Sequence, residues 1–244
     1  MSDAAGPEPG PAEDARRTVP LFPLNAVLFP GVTTPLHIFE DRYRAMVRDL
    51  LAITDPAERV FGIVAIREGY EVGEHSVQSS HRVGTLAQLV GHQAHDDGRF
   101  DLEVVGRQRF RVQEIHAGEE YLRAQVELYD EEDAGSAPAE GQVEAQVEAQ
   151  RTRAMFEEYR SLLSDLRGGP VLAGELPRDP AYLSYALAAT CLLTQGQRQE
   201  LLEMPGPVQR LRRLRDLLHR ERQAMQALPS LPATEVARTR WSPN

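Results

Sequence analysis

Seven histidines, one cysteine and an all-arginine set of bases define what chemistry this 244-residue chain can do. His75, His81, His92 and His95 fall in one short span, and His92-Gln93-Ala94-His95 runs into Asp96 and Asp97. Imidazole and carboxylate at such spacing can hold a divalent cation. The same residues stand where a polar hairpin end is expected, so they are read as solvated loop residues, with no metal site and no cofactor. Cys191 is the sole cysteine, which excludes an internal disulfide framework and a cysteine-built zinc site. It lies in the apolar run YLSYALAATCLL and is read as a small buried residue, not a nucleophile. No serine has a histidine and an acid in a context that would activate it. All 27 basic residues are arginine. Without lysine there is no Ser–Lys dyad, no phosphate-loop lysine and no Schiff base.

Arginine supplies the remaining candidates. Arg107, Arg109 and Arg111 alternate with Gln108, Phe110 and Val112, so period two puts the three guanidiniums on one strand face. They are the candidate ligand-binding residues, for an anionic or polar ligand, although an outer face balanced by acids is the expected state. Arg210, Arg212, Arg213, Arg215, Arg220 and Arg222 decorate the last helix opposite Val208, Leu211, Leu214, Leu218 and Met225, and are read as a solvated face. The acid-rich stretch 130–148 is a candidate internal partner for them. Glu40 and Arg42 open the first helix in structural roles, and His37 is expected to be a partly buried strand residue.

The elements that must position these residues come in two groups. Residues 1–17 are too polar and too rich in Pro, Gly and acids to bury much, and are expected to be a disordered leader. Residues 18–129 alternate as short strands: Val19–Leu24, Val32–Ile38, Arg59–Ile66, Gly84–Val90, Phe100–Val105, Gln108–Ile115 and Tyr121–Tyr129, with one helix at Glu40–Ala52. Asp96-Asp97-Gly98 signals a hairpin turn, and Gly106 a bulge or bend. Pro20, Pro23, Pro30 and Pro35 with Gly31 interrupt the opening strands, and a sharp turn of the barrel is expected at Pro30-Gly31. Residues 130–139 read as an acidic linker and 140–228 as a helical bundle. Its first helix runs to about Arg167, with Val143, Val147, Met155, Tyr159, Leu162 and Leu166 on one face. Gly168-Gly169-Pro170 ends that helix, Asp179-Pro180 caps the next one to about Leu193, and Gln195–Glu203 and Pro207–Leu228 follow. Residues 229–244 are expected to be a disordered tail. The predicted fold class is α+β.

Composition bounds the function. A hydrophobic content of 41% supports a core, and no apolar run reaches the roughly 20 residues of a membrane span. The first residues lack a signal-peptide core, so a cytoplasmic location is expected. A formal charge of −10 disfavours nucleic acid as a partner.

Pro20-Leu21-Phe22-Pro23-Leu24, Val27-Leu28-Phe29-Pro30-Gly31 and Pro35-Leu36-His37-Ile38-Phe39-Glu40 with Arg42-Tyr43 resemble the opening of the Lon protease amino-terminal (substrate-binding) domain. Phe61-Gly62-Ile63-Val64, Gly84-Thr85-Leu86 and Gly106–Val112 continue the resemblance, as do Asp179–Leu183, Gln197–Glu203 and Arg210–Leu214. The resemblance implies a PUA-like bent β-barrel followed by a carboxy-terminal helical bundle, free-standing and without the ATPase and peptidase modules. It implies a non-catalytic protein- or peptide-binding module, an adaptor for unfolded or partner proteins, and no enzyme. An RNA-binding PUA-like protein and an unrecognised hydrolase are the alternatives. The oligomeric state is left open.

Overall fold

The computed structural model describes residues 16–67, 80–117, 120–129, 139–169 and 175–227. Most of the leader, His75 and the excursion around it, most of the linker and the tail lie outside the described residues. The chain divides into two compact units: a sheet unit, up to Asn25 together with Thr33–Tyr129, and a helical unit, Ala26–Val32 together with the chain from Asp130 onward.

The sheet unit contains β1 (Arg16–Leu24), β2 (Thr33–Ile38), α1 (Asp41–Ala52), β3 (Val60–Ile66), β4 (Ser80–Ala94), β5 (Phe100–Ala117) and β6 (Leu122–Tyr129). Arg16 and Arg17 thus belong to a strand, not to the leader expected through residue 17. The β3 sequence VFGIVAI is apolar almost without interruption because the strand is buried along nearly its whole length, paired parallel to β1 and antiparallel to β4. The strand order is β2-β5-β4-β3-β1-β6, and β6 also pairs with β5, so the hydrogen-bonded circuit returns to the strand next to where it began. β5 makes this possible by its length of 18 residues: Phe100–Arg111 faces β4 and Arg109–Ala117 faces β6. Seven short strands are expected from the sequence, two of them divided near Gly106. The backbone instead stays continuous and absorbs the irregularity as a register shift, a step of two along β4 (Thr85 to Ala87) matching a step of three along β5 (Arg109 to Gly106).

Inside the curled sheet, Val19, Leu21, Val64, Leu86, Phe110, Val112, Ala124 and Val126 form one apolar cluster. Phe110 lies against two glycines. A Cβ on Gly84 would stand 2.2 Å from the Ile63 carbonyl oxygen and 2.7 Å from the Phe110 ring, and one on Gly62 2.9 Å from the same ring. Bare backbone at both positions therefore lets the ring fill the interior, a burial worth about 1.5–3 kcal/mol. α1 covers part of the sheet through Tyr43, Met46, Val47 and Leu50, and Phe22 meets the Tyr43 ring edge-on at 4.3 Å. Glu40 is the N-cap residue, but its side chain holds Arg42 at 2.7 Å and leaves the helix amides uncapped.

The helical unit contains α2 (Ala139–Arg167), α3 (Pro180–Thr190), α4 (Gln195–Glu203) and α5 (Pro207–Ala227). Ala26–Val32 packs within this unit. Phe29 approaches Tyr185 at 5.9 Å, and Gly31, at φ +75, sits where a Cβ would be 2.9 Å from the Tyr182 ring. The Pro30-Gly31 turn expected to bend a barrel instead takes the chain out of the sheet unit and back. Asp179 caps α3 by accepting from the Ala181 and Tyr182 amides, with Pro180 in the first turn, and Thr194 and Gln197 form a reciprocal capping box on α4.

Two arginines close the other helix ends. Arg198 donates to the Ala189 and Cys191 carbonyls at the end of α3. Arg210, fully buried, donates to the Leu201 and Met204 carbonyls at the end of α4 and to Ser184 Oγ at 2.7 Å, with its guanidinium 3.9 Å from the centre of the Tyr185 ring. A cation at a helix C-terminus meets orphan carbonyls and the negative end of the dipole. Arg210 is therefore a core residue, not the solvated residue its neighbours suggested. Cys191 is buried beside this junction, and desolvation pushes its thiol up to about 12.

α2 is rotated relative to the sequence expectation. Its buried positions are Ala145, Glu148, Ala149, Thr152, Phe156, Tyr159 and Leu163, so of the predicted stripe only Tyr159 is fully buried. Two alanines, a threonine that donates to the Leu211 carbonyl, and a paired carboxylate face inward. Glu148 receives Arg215 at 2.5 Å, Arg151 at 3.2 Å and Arg212 at 3.5 Å, and Glu144 receives Arg212 at 2.6 Å. Glu144 and Glu148 of the acidic stretch do pair with the last helix. Desolvation pushes the Glu148 carboxyl up, but the Arg215 hydrogen bond and the surrounding guanidinium charges outweigh it and hold the group below the ordinary glutamate value.

Candidate protein-binding surface

The three strand arginines do not form an open cationic row. Arg107 and Arg111 are exposed, and Arg107 donates to Gln88 Oε1 at 2.5 Å. Arg109 is 1% exposed, with its guanidinium 4.7 Å from the Tyr129 ring centre. One arginine of the three is thus part of the interior, and the strand offers two separated surface charges.

The histidines sort differently as well. His92 is exposed on β4, while His95 joins a partner that sequence spacing could not reveal. Asp101 on β5 stands between His37 of β2 and His95, with 2.6 Å from each carboxylate oxygen to a ring nitrogen. The hydrogen bonds from His37 and then His95 hold the Asp101 carboxyl below its ordinary range. This contact fastens β2 to the β4–β5 hairpin, whose tip Arg44 also grips through the Gly98 carbonyl at 2.8 Å. Among the described residues no group of three or more His, Cys, Asp or Glu is placed to hold a metal ion.

Among the described residues, the outer side of α2 is a surface that folding does not explain. With Ala145, Ala149, Thr152 and Phe156 inward, residues 139, 143, 146, 150, 153, 157 and 160 recur at three- and four-residue steps and make one line along the helix, with Gln142 beside it. Two open cavities lie on that line. The first, about 540 Å³, is walled by Val143, Val147, Gln142, Gln146, Gln150 and the start of α3 at Asp179 and Pro180. The second, about 590 Å³, is walled by Gln146, Arg153, Glu157, Arg160, Glu175, Leu176 and Arg178. Gln146 belongs to both. Val143 is 63% exposed and Val147 38%, and Tyr182 on the first turn of α3 is 57% exposed. Because Asp179 spends its carboxylate on the α3 amides, Pro180 is held in a fixed helix start at the edge of the first cavity.

Such a surface has no nucleophile or activated base; it offers apolar contact, amide hydrogen bonds and guanidinium charge. Sequence reasoning missed it by assigning Val143 and Val147 to the buried face. The available signal was their i, i+4 spacing among Gln142, Gln146 and Gln150, which is apolar surface set in an otherwise polar stripe.

Comparison with known proteins places these observations. The family model of the ATP-dependent protease La (LON) substrate-binding domain matches residues 18–220. A Lon protease of Anaeromyxobacter dehalogenans is 27% identical over 214 residues, 87% of this chain and 24% of that protein. Lon protease 2 of Herpetosiphon aurantiacus is 28% identical over 204 residues, 83% of this chain and again 24% of that protein. The chain thus spans about a quarter of the curated relatives it matches. Among solved structures, a Lon N-terminal domain protein from Xanthomonas campestris superposes with a TM-score of 0.55 at 26% identity, covering 81% of this chain and 96% of that one. The N-terminal domain of a Mycobacterium avium complex Lon protease gives 0.59 at 18% identity, covering 83% and 98%, a likeness of fold. Matched along most of its length by the family model and sharing the α+β architecture of these domains, the chain belongs to the Lon substrate-binding domain family.

Proposed function

We propose that the protein binds unfolded or partner protein segments as a non-catalytic adaptor, and that the outer side of α2 is where it does so. Family membership supports substrate recognition in general. The observation that carries the finer reading is the pair Val143 and Val147, exposed side by side over a cavity. The surface the two valines still expose amounts to about one whole side chain, and covering it is worth about 1.5–3 kcal/mol before the costs of ordering the partner are subtracted. That magnitude suits weak, reversible capture and not a permanent complex. The absence of lysine and the buried, hard-to-ionise Cys191 thiol support binding without covalent chemistry.

The test compares a reduced, alkylated model protein with its folded form, each immobilised and exposed to the purified chain. Saturable binding to the unfolded form alone is expected, together with no turnover of casein with or without ATP. Equal retention on both forms, or none on either, contradicts the proposal.

A further inference from the structure

We propose that the two cavities along α2 form one track whose occupant is an extended protein segment with an apolar stretch beside a carboxylate-bearing stretch. This rests on the segment-binding reading above and adds the chemistry of the segment. Continuity is the first support: both cavities lie on one helical line and share Gln146.

Charge is the second. Arg160 is paired with Glu157, and Arg153 donates to the Pro177 carbonyl at 2.7 Å. Neither Arg153 nor Arg178 has a carboxylate partner among the described residues, and Glu175 offsets only one of those two charges. In a chain of net charge −10, this end of the helix line carries a local cationic surplus. A carboxylate arriving there forms charge-assisted hydrogen bonds, stronger than those of a neutral amide.

Spacing is the third. Val147 and Arg153 are six positions apart on α2, roughly 9 Å along the axis. Extended chain covers that in about three residues. Val143 and Arg160 are separated by roughly 26 Å, about eight residues of extended chain. The glutamine side chains between them face the peptide groups of such a segment.

The experiment uses the full chain and fluorescein-labelled peptides followed by anisotropy. One peptide has a leucine-rich half followed by a glutamate-rich half. In a second the glutamates are glutamines, and in a third the leucines are serines. The first peptide is expected to bind about tenfold more tightly than the second at low salt, an advantage that shrinks as salt screens the charges. Arg178→Gln, at an exposed position, should reduce that advantage, and adding Arg153→Gln should abolish it. Val147→Asp should weaken both leucine-bearing peptides, with helical content by circular dichroism unchanged. Equal binding of the first two peptides, a glutamate advantage that survives both arginine changes, or binding of the serine peptide as tight as the first overturns the track but leaves segment recognition standing. Failure of every leucine-bearing peptide to bind overturns both.

Discussion

Gly84 shows how much a single position constrains the sheet unit. Its missing Cβ is the space occupied by the Ile63 carbonyl and the Phe110 ring, and neither is the movable end of a flexible side chain. Gly84→Ala should therefore destabilise the protein by about 1–3 kcal/mol, read as a lowered denaturant midpoint with unchanged slope. An unchanged midpoint would show that the interior is looser than these distances require. Arg210 is the counterpart in the helical unit. Arg210→Ala opens a cavity beneath Tyr185 and strips donors from Ser184 and from the α4 carbonyls, at a cost of about 2–4 kcal/mol. The same change at Arg220, exposed on α5, should stay within about 0.5 kcal/mol. Period and composition cannot separate these two arginines. What separates them is the end of α4 and the hydroxyl of Ser184, 26 residues away, which Arg210 happens to reach.

At the scale of elements, the contact between α2 and α5 turns on Glu148. Its carboxyl is held below the ordinary glutamate value of about 4.3, so its ion pairs contribute stability above that pH, and the contribution is lost as pH falls through the folded value. Glu148→Gln should flatten the acid limb of the stability curve and lower stability at neutral pH. A pH profile that kept its shape would mean the three arginines do not act on this carboxyl. The opposite side of α2 should behave otherwise: Val143→Ser should leave stability within about 0.5 kcal/mol of the parent while weakening capture of unfolded protein. Local chemistry made several elements legible. Thr194 with Gln197 and Asp179 with Pro180 mark helix starts by bonds within a turn, and α4 has the bounds its sequence predicts. The rotation of α2 was hidden because its contact with α5 uses alanines, a threonine and a neutralised glutamate, which hydrophobic patterning passes over. The His37–Asp101–His95 contact was hidden because β2 reaches β5 across 64 residues of sequence.

For the whole molecule, the α+β class and family were legible because many short blocks agree along the chain. The continuous β5, the return of β6 to it, and the departure of Ala26–Val32 from the sheet unit were not, since each depends on pairing or packing over long sequence distance. The same limit moved the candidate surface from three strand arginines, one of them buried, to a helix face that composition marks only by two valines among glutamines. The measurement that tests this placement most directly is amide hydrogen exchange of the full chain with and without a reduced, alkylated model protein. Slowed exchange concentrated in residues 139–160 and at the start of α3 is the expected result. Binding that protects only the sheet unit, or leaves α2 unchanged, would contradict it.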